Sequence, residues 1–178
     1  MAIHAMVDIE TLDTKYSATI LTVGAVRFDP FSNSPMEEFY FRVETDGQEA
    51  LGMTISDDTL AWWAKQSPEV QNEAFTPYDR FPLSAVVECL NKFVWGCDKV
   101  WAHGPHFDIP ILEFACEKSG ITPGWNFWDI RDTRTIFDLA DPEMPQNAKH
   151  NALEDVKRQA IGVRNVYRKI KFSGTKLG

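Results

Sequence analysis

Three stretches near the N-terminus, residues 2–9, 19–28 and 36–44, carry the β-branched, aromatic and period-two signature of strands. Turn-forming residues separate them, and connections this short predict an antiparallel meander. From Asp57 the apolar period lengthens towards that of a helix, with Asp57 or Asp58 predicted to cap TLAWWAKQ and Pro68 to open the next turn. Further on, 82–95 reads as a helix, 98–102 as a buried strand and 109–118 as a helix with Pro110 in its first turn. Residues 125–130 read as a strand and 131–140 as a short helix. A last helix is predicted to begin near Asn151, because Leu153, Val156, Ala160, Val163, Tyr167 and Ile170 recur at alternating spacings of three and four. Strands running together first and then alternating with helices predict an α/β chain. Its mixed sheet would hold three antiparallel strands, then two further strands, flanked by helices. No repeat or linker divides the chain, so residues 1–178 read as a single domain.

Composition narrows the class. With 44% hydrophobic and 25% charged residues the make-up is globular, and no apolar run approaches the ~20 residues of a membrane span. No basic segment followed by an apolar one opens the chain, and Cys89, Cys97 and Cys116 form no paired framework. A reduced, cytoplasmic protein is expected. The net charge of −8 conceals an asymmetry: no acid follows Asp155, whereas seven of the 18 Lys+Arg do. A basic end on an acidic body can hold a polyanion locally, or be a solvated helix face.

Four acids and one histidine carry the chemistry. Asp8 and Glu10, two apart in the first strand, point to one face of the pleat, between apolar Met6, Val7 and Ile9. Two carboxylates at the end of a core strand are unfavourable unless a cation compensates them. Asp108 follows the predicted strand 98–102 through VWAHGPHFD and opens the next helix, while Asp155 lies in the first turn of the last. His150 shares a face with Asp155 only if it precedes that helix, where Asn151 as cap would leave it. Each short motif alone is weak, and an Asp-x-Glu is expected about once by chance in so acidic a chain. Their order and placement together carry the signal.

The assembled set resembles the DEDDh 3′→5′ exonucleases, which have a ribonuclease-H-like fold. The resemblance spans nearly the whole chain and rests on Asp8-Ile9-Glu10-Thr11-Leu12, His103-Gly104-Pro105-His106-Phe107-Asp108 and His150-Asn151-Ala152-Leu153-Glu154-Asp155. Residues 58–66 and 128–136 look like the small bacterial and phage members rather than proofreading subunits. Gly104 departs from the Asn that family members often carry there. The resemblance implies an enzyme in a bacterial cell, phage- or prophage-encoded in some cases, that shortens single-stranded DNA or RNA from the 3′ end and releases nucleoside 5′-monophosphates. DNA is the polymer expected from the phage-like kinship, with RNA as the alternative. Thr11 and Leu12 would contact the terminal nucleotide, Leu12 as a wedge, or else simply close a well-packed strand end.

Phosphodiester hydrolysis supports the same reading from chemistry. Two divalent ions roughly 4 Å apart can supply an attacking hydroxide and stabilise both developing charge and leaving oxygen. Carboxylate oxygens suit Mg²⁺ or Mn²⁺, and four of them balance two such ions. Asp8 is assigned to both ions, Glu10 and Asp155 to the one beside the attacking water, and Asp108 to the other. His150 is the candidate general base. His103 and His106 have no second His/Cys cluster that would complete a zinc site, so with Phe107 they are read as a loop lining in reach of substrate. Adjacent on a helix, Trp62 and Trp63 cannot face the same way: one belongs in the core and the other, taken as Trp63, can stack on a base. Arg131 and Arg134 offer phosphate contacts, or pair with Asp129 and Asp132. A non-catalytic nucleic-acid-binding module does not explain a carboxylate cluster that repels phosphate unless filled by metal. A two-carboxylate glycosidase explains neither Asp155 nor His150.

Overall fold

A computed structural model describes residues 2–146 and 150–172. Its strands are β1 (His4–Thr11), β2 (Ile20–Phe28), β3 (Glu37–Val43), β4 (Arg80–Phe81), β5 (Lys99–Ala102) and β6 (Ile130–Asp132). The helices are α1 (Asp57–Trp63), α2 (Pro68–Phe75), α3 (Leu83–Val94), α4 (Pro105–Lys118), α5 (Thr133–Phe137) and α6 (Ala152–Lys169). The strands form one sheet in the order β4-β3-β2-β1-β5-β6. The expected meander β1-β2-β3 is antiparallel, while β5 runs parallel to β1 and β6 parallel to β5. The mixed α/β architecture is therefore as expected, with β4 added on the far edge. That two-residue strand, parallel to β3, is too short to leave a periodic signal.

Pleating divides β1 between two cores. Ala5, Val7 and Ile9 face α3 and α4 with Val86, Leu90, Ile111 and Leu112. Met6 faces α6 among Val26, Phe28, Trp101, Val156, Ala160, Val163 and Tyr167. Asp8 and Glu10 continue this second face beyond the apolar contact, where the sheet emerges from under the helix. Of the α6 stripe, Val156, Ala160, Val163 and Tyr167 are buried as the spacing predicts, Leu153 is partly buried, and Ile170 caps the helix and remains 40% exposed. No helix among the described residues is long and apolar enough to cross a membrane.

Three boundaries differ from expectation. Ser56, not Asp57 or Asp58, occupies the N-cap position of α1, leaving both acids in its first turn beside the helix's positive end. Helix α4 begins at Pro105 rather than 109, because Gly104 turns the chain at φ 93° and Pro105 supplies a helix-ready φ. Asp108 consequently sits within its first turn, and Pro110 falls in the helix interior. The aromatic run at 125–130 has strand-like residues but forms a 3₁₀ turn over Phe127–Asp129, and pairing with β5 starts only at Ile130. Trp125 instead donates through Nε1 to Glu113.

Candidate active site

Strand β1 delivers Asp8 and Glu10, α4 delivers Asp108, and α6 delivers Asp155. The helix can approach because Asp8 is registered opposite Gly24 on β2. A Cβ on Gly24 would lie 2.4 Å from the carbonyl carbon of Ala152, 2.6 Å from its oxygen and 2.6 Å from the Leu153 nitrogen. Only hydrogen fits there, so the first turn of α6 rests directly on the sheet beside Asp8. Carboxylate oxygens of Asp8, Glu10 and Asp155 thereby lie within 4.8 Å of one another. Asp108 is buried against the same strand, its Oδ1 accepting from the Ile9 N–H at 3.3 Å.

The crowding shows in the acidities. Burial, followed by the charges of Asp108, Glu10 and Asp155, holds the Asp8 carboxyl well above the usual carboxylate range. Burial and the charges of Asp155 and Asp108 push Glu10 up to about 8. Burial raises Asp108 to about 7, against the opposing pull of the Ile9 N–H, its own backbone N–H and Arg134. A site arranged this way holds protons until a cation replaces them. Hard oxygen donors at close quarters suit a divalent ion of the magnesium or manganese kind, so the donor set fits the expected metal.

Asn151 caps α6 through its side chain, which accepts from the Glu154 N–H at 3.0 Å. His150 precedes it in a left-handed conformation, φ 65°, and its N–H donates to Asp155 Oδ2 at 3.0 Å. The imidazole meets the Trp62 indole edge-on at 4.9 Å. His150 thus reaches the cleft from outside the helix. The other Asp155 oxygen accepts from Arg158 at 2.7 Å.

All five expected catalytic residues line one cleft of about 280 Å³, joined by Phe107, His103, Arg134, Arg158 and Gln159. A second cleft of about 400 Å³ shares Ile9, Glu10 and Phe107 with it and extends over Thr11, Asp13, Asp58 and Trp62. Of the expected substrate contacts, Phe107 and Thr11 are therefore brought to the site. Leu12 is not: it packs with Leu21, Trp63 and Ala74 in a small core of its own. Trp63 is the core tryptophan, 2% exposed and donating to the Thr11 carbonyl at 2.8 Å, so it only backs the second cleft. Its neighbour Trp62, 40% exposed, is the one that faces outward. His106 points to solvent and lines neither cleft, whereas His103 lines the first. Arg131 is turned away, its Nη1 donating to the carbonyls of Trp128 and Ile130.

Much of the basic C-terminal charge is already engaged. Lys157 pairs with Glu38 and Glu154, Arg164 donates to the carbonyls of Asp29 and Ser34, and Lys169 pairs with Glu143. Lys176 lies outside the described residues.

Sequence reasoning missed Gly24, Gln159 and Arg158. The last two stand four and three positions after Asp155, a helical spacing that places them on its face. Gly24 gave no such signal, because its role depends on a helix more than a hundred residues away.

The fold is shared with solved nucleases. An exonuclease I–ssDNA complex from E. coli superposes with a TM-score of 0.68 at 14% identity, covering 96% of this chain and 41% of that one. Another exonuclease I structure gives 0.66 at 15% identity, covering 95% and 41%. Exonuclease I from Methylocaldum szegediense gives 0.59 at 15% identity, again covering 95% and 41%. The chain thus spans about two-fifths of the length of these proteins. No curated protein matches it by sequence. Residues 3–167 match the model of the Rv2179c-like 3′-5′ exoribonuclease domain. Together with the carboxylate set on a ribonuclease-H-like sheet, that match places the chain in the Rv2179c-like family, among the DEDDh-type 3′→5′ exonucleases.

Proposed function

We propose that the protein is a divalent-metal-dependent hydrolase that removes nucleoside 5′-monophosphates from the 3′ end of single strands. The observation carrying this reading is the gathering of Asp8, Glu10 and Asp155 within 4.8 Å, with Asp108 and His150 in the same cleft. Asp8, Glu10 and Asp155 would hold one Mg²⁺ or Mn²⁺, and Asp8 with Asp108 a second. When bound, such ions supply an ionised water and offset the charge on the phosphate and leaving oxygen.

The rest is the work of the chain. A ring nitrogen of His150 accepts the proton of the attacking water. Its backbone N–H donates to Asp155 Oδ2, which holds that base beside a carboxylate that would bind metal. Phe107 and the second cleft receive the terminal nucleoside, with Trp62 available for stacking.

For the polymer, membership of a family described as exoribonucleases supports RNA over the DNA expected from sequence. The likeness to DNA-bound exonuclease I, at 14% identity, speaks for the fold alone. The test is incubation with 5′-labelled single-stranded RNA and DNA of one sequence, with Mg²⁺, Mn²⁺ or chelator. Shortening from the 3′ end, faster on RNA and abolished by chelator, is expected. Faster shortening of DNA would return the polymer to the DNA expected from sequence, and no shortening of either would overturn the reading.

A further inference from the structure

The space beside Gly104 is filled from α5. A Cβ on Gly104 would lie 2.6 Å from Arg134 Nη1, 2.9 Å from Cζ and 3.3 Å from Nη2. The guanidinium therefore lies across the glycine, at a backbone φ of 93° that also favours glycine. Asp132 holds the two segments together: its Oδ1 accepts from the Gly104 N–H at 3.2 Å and from the Arg134 N–H at 2.9 Å.

Three arginines occur in this region, and their engagements differ. Arg158 is paired with Asp155 at 2.7 Å, and Arg131 is held by backbone carbonyls. Arg134 lines the catalytic cleft yet makes no ion pair among the described residues. A cation without an ion-pair partner among the described residues, kept over a glycine in the cleft that holds the four acids, is placed for an anion that arrives with the substrate. A guanidinium suits phosphate because its planar fork donates to two oxygens at once.

We infer that Arg134 binds the non-bridging oxygens of the scissile phosphate, and that Gly104 is the residue that gives it room to do so. Resting on the nuclease reading above, this assigns Arg134 a direct part in the reaction: it stabilises charge that grows on those oxygens as the water attacks. No bond to Arg134 forms or breaks, and the guanidinium stays protonated throughout.

The test compares wild type with Arg134→Ala, Arg134→Lys and, as a control outside the cleft, Arg131→Ala, on the single strand that wild type degrades. Arg134→Ala should lower kcat by about 10²–10³-fold, the usual effect of removing one such donor, with a much smaller change in KM. Added guanidinium ion, at concentrations well below denaturing, should restore part of the Arg134→Ala rate. A purely structural side chain would not be replaced in this way. Arg134→Lys, which keeps the charge without the fork, should fall between. Arg131→Ala should match wild type, and because Arg134 is exposed its variants should melt as wild type does. A near-wild-type kcat in Arg134→Ala, or a raised KM with kcat kept, would overturn the assignment. Inactive wild type on both RNA and DNA would instead sink the nuclease reading itself, so the two failures are distinct.

Discussion

Replacing Gly24 by alanine puts one methyl group into the contact that positions Asp155. The new Cβ would lie 2.4 Å from the Ala152 carbonyl carbon, and all three of its nearest neighbours are backbone atoms of α6. No side chain can swing away to relieve it. To reach an ordinary contact of 3.4 Å, the first turn of α6 must retreat by about 1 Å. That turn carries Asp155 and follows His150, whereas Asp8 and Glu10 stay on β1, so the retreat opens the carboxylate cluster. Overpacking of this kind costs about 1–3 kcal/mol, equivalent to a fall in Tm of roughly 2–12 °C for a chain of this size. Catalysis should suffer more, because a 1 Å displacement of reacting groups can lower rate by about 10²-fold. The assay is kcat on a single-stranded substrate at several Mn²⁺ concentrations, alongside a melting curve. Excess metal should recover part of the rate, since a displaced ligand weakens metal binding before it abolishes chemistry. An unchanged kcat and Tm would refute the argument that Gly24 sets the distance between sheet and helix.

Removing a carboxylate should separate activity from stability: Asp8→Asn is expected to lose at least ~10³-fold in hydrolysis while its Tm in chelator is unchanged or higher at pH 8. In chelator, the wild-type Tm should fall as pH rises from 6.5 to 8. Glu10 titrates near 8 when folded against 4.5 ordinarily, and Asp108 near 7 against 3.8. The unfolded chain therefore releases these protons first, and stability drains away through that window. His4, lowered by burial to about 4, acts in the opposite sense only below 6.5, so a Tm rising between pH 6.5 and 8 would contradict the acidities. His150→Ala should reduce kcat by about 10²–10⁴-fold, with the deficit shrinking at higher pH. Near-wild-type turnover in His150→Asn at neutral pH would remove His150 from the role of base.

What could be read in the sequence was whatever local period or chain order encodes. Two-residue spacing put Asp8 and Glu10 on one face, and the three-four stripe from Leu153 to Tyr167 fixed the buried side of α6. The capping chemistry of Asn151 was enough to leave His150 outside the helix. Features that depend on distant segments were not legible. Trp62 and Trp63 are separated by one helical step, and only the packing of Leu12, Leu21 and Ala74 decides which of them is buried. Leu12 looked like a wedge from its place in the motif, yet the same core takes it. Arg131 and Arg134 looked equivalent in sequence. The turn at Gly104 and the carbonyls of Trp128 and Ile130 send one into the cleft and the other away.

On this reading Asp8, Glu10, Asp108 and Asp155 form a divalent-cation centre in which Asp8, Glu10 and Asp108 stay protonated until the ion arrives. Calorimetric titration of Mn²⁺ into the protein, repeated in buffers of different ionisation enthalpy, tests it most directly. Binding at pH 7 should release at least about one proton, from Glu10 held near 8, Asp108 held near 7 and the raised Asp8, with the release diminishing as the pH is raised towards 9. Asp8→Asn should abolish the binding. Undetectable binding by the wild type, or the same binding and proton release in Asp8→Asn, would contradict the account.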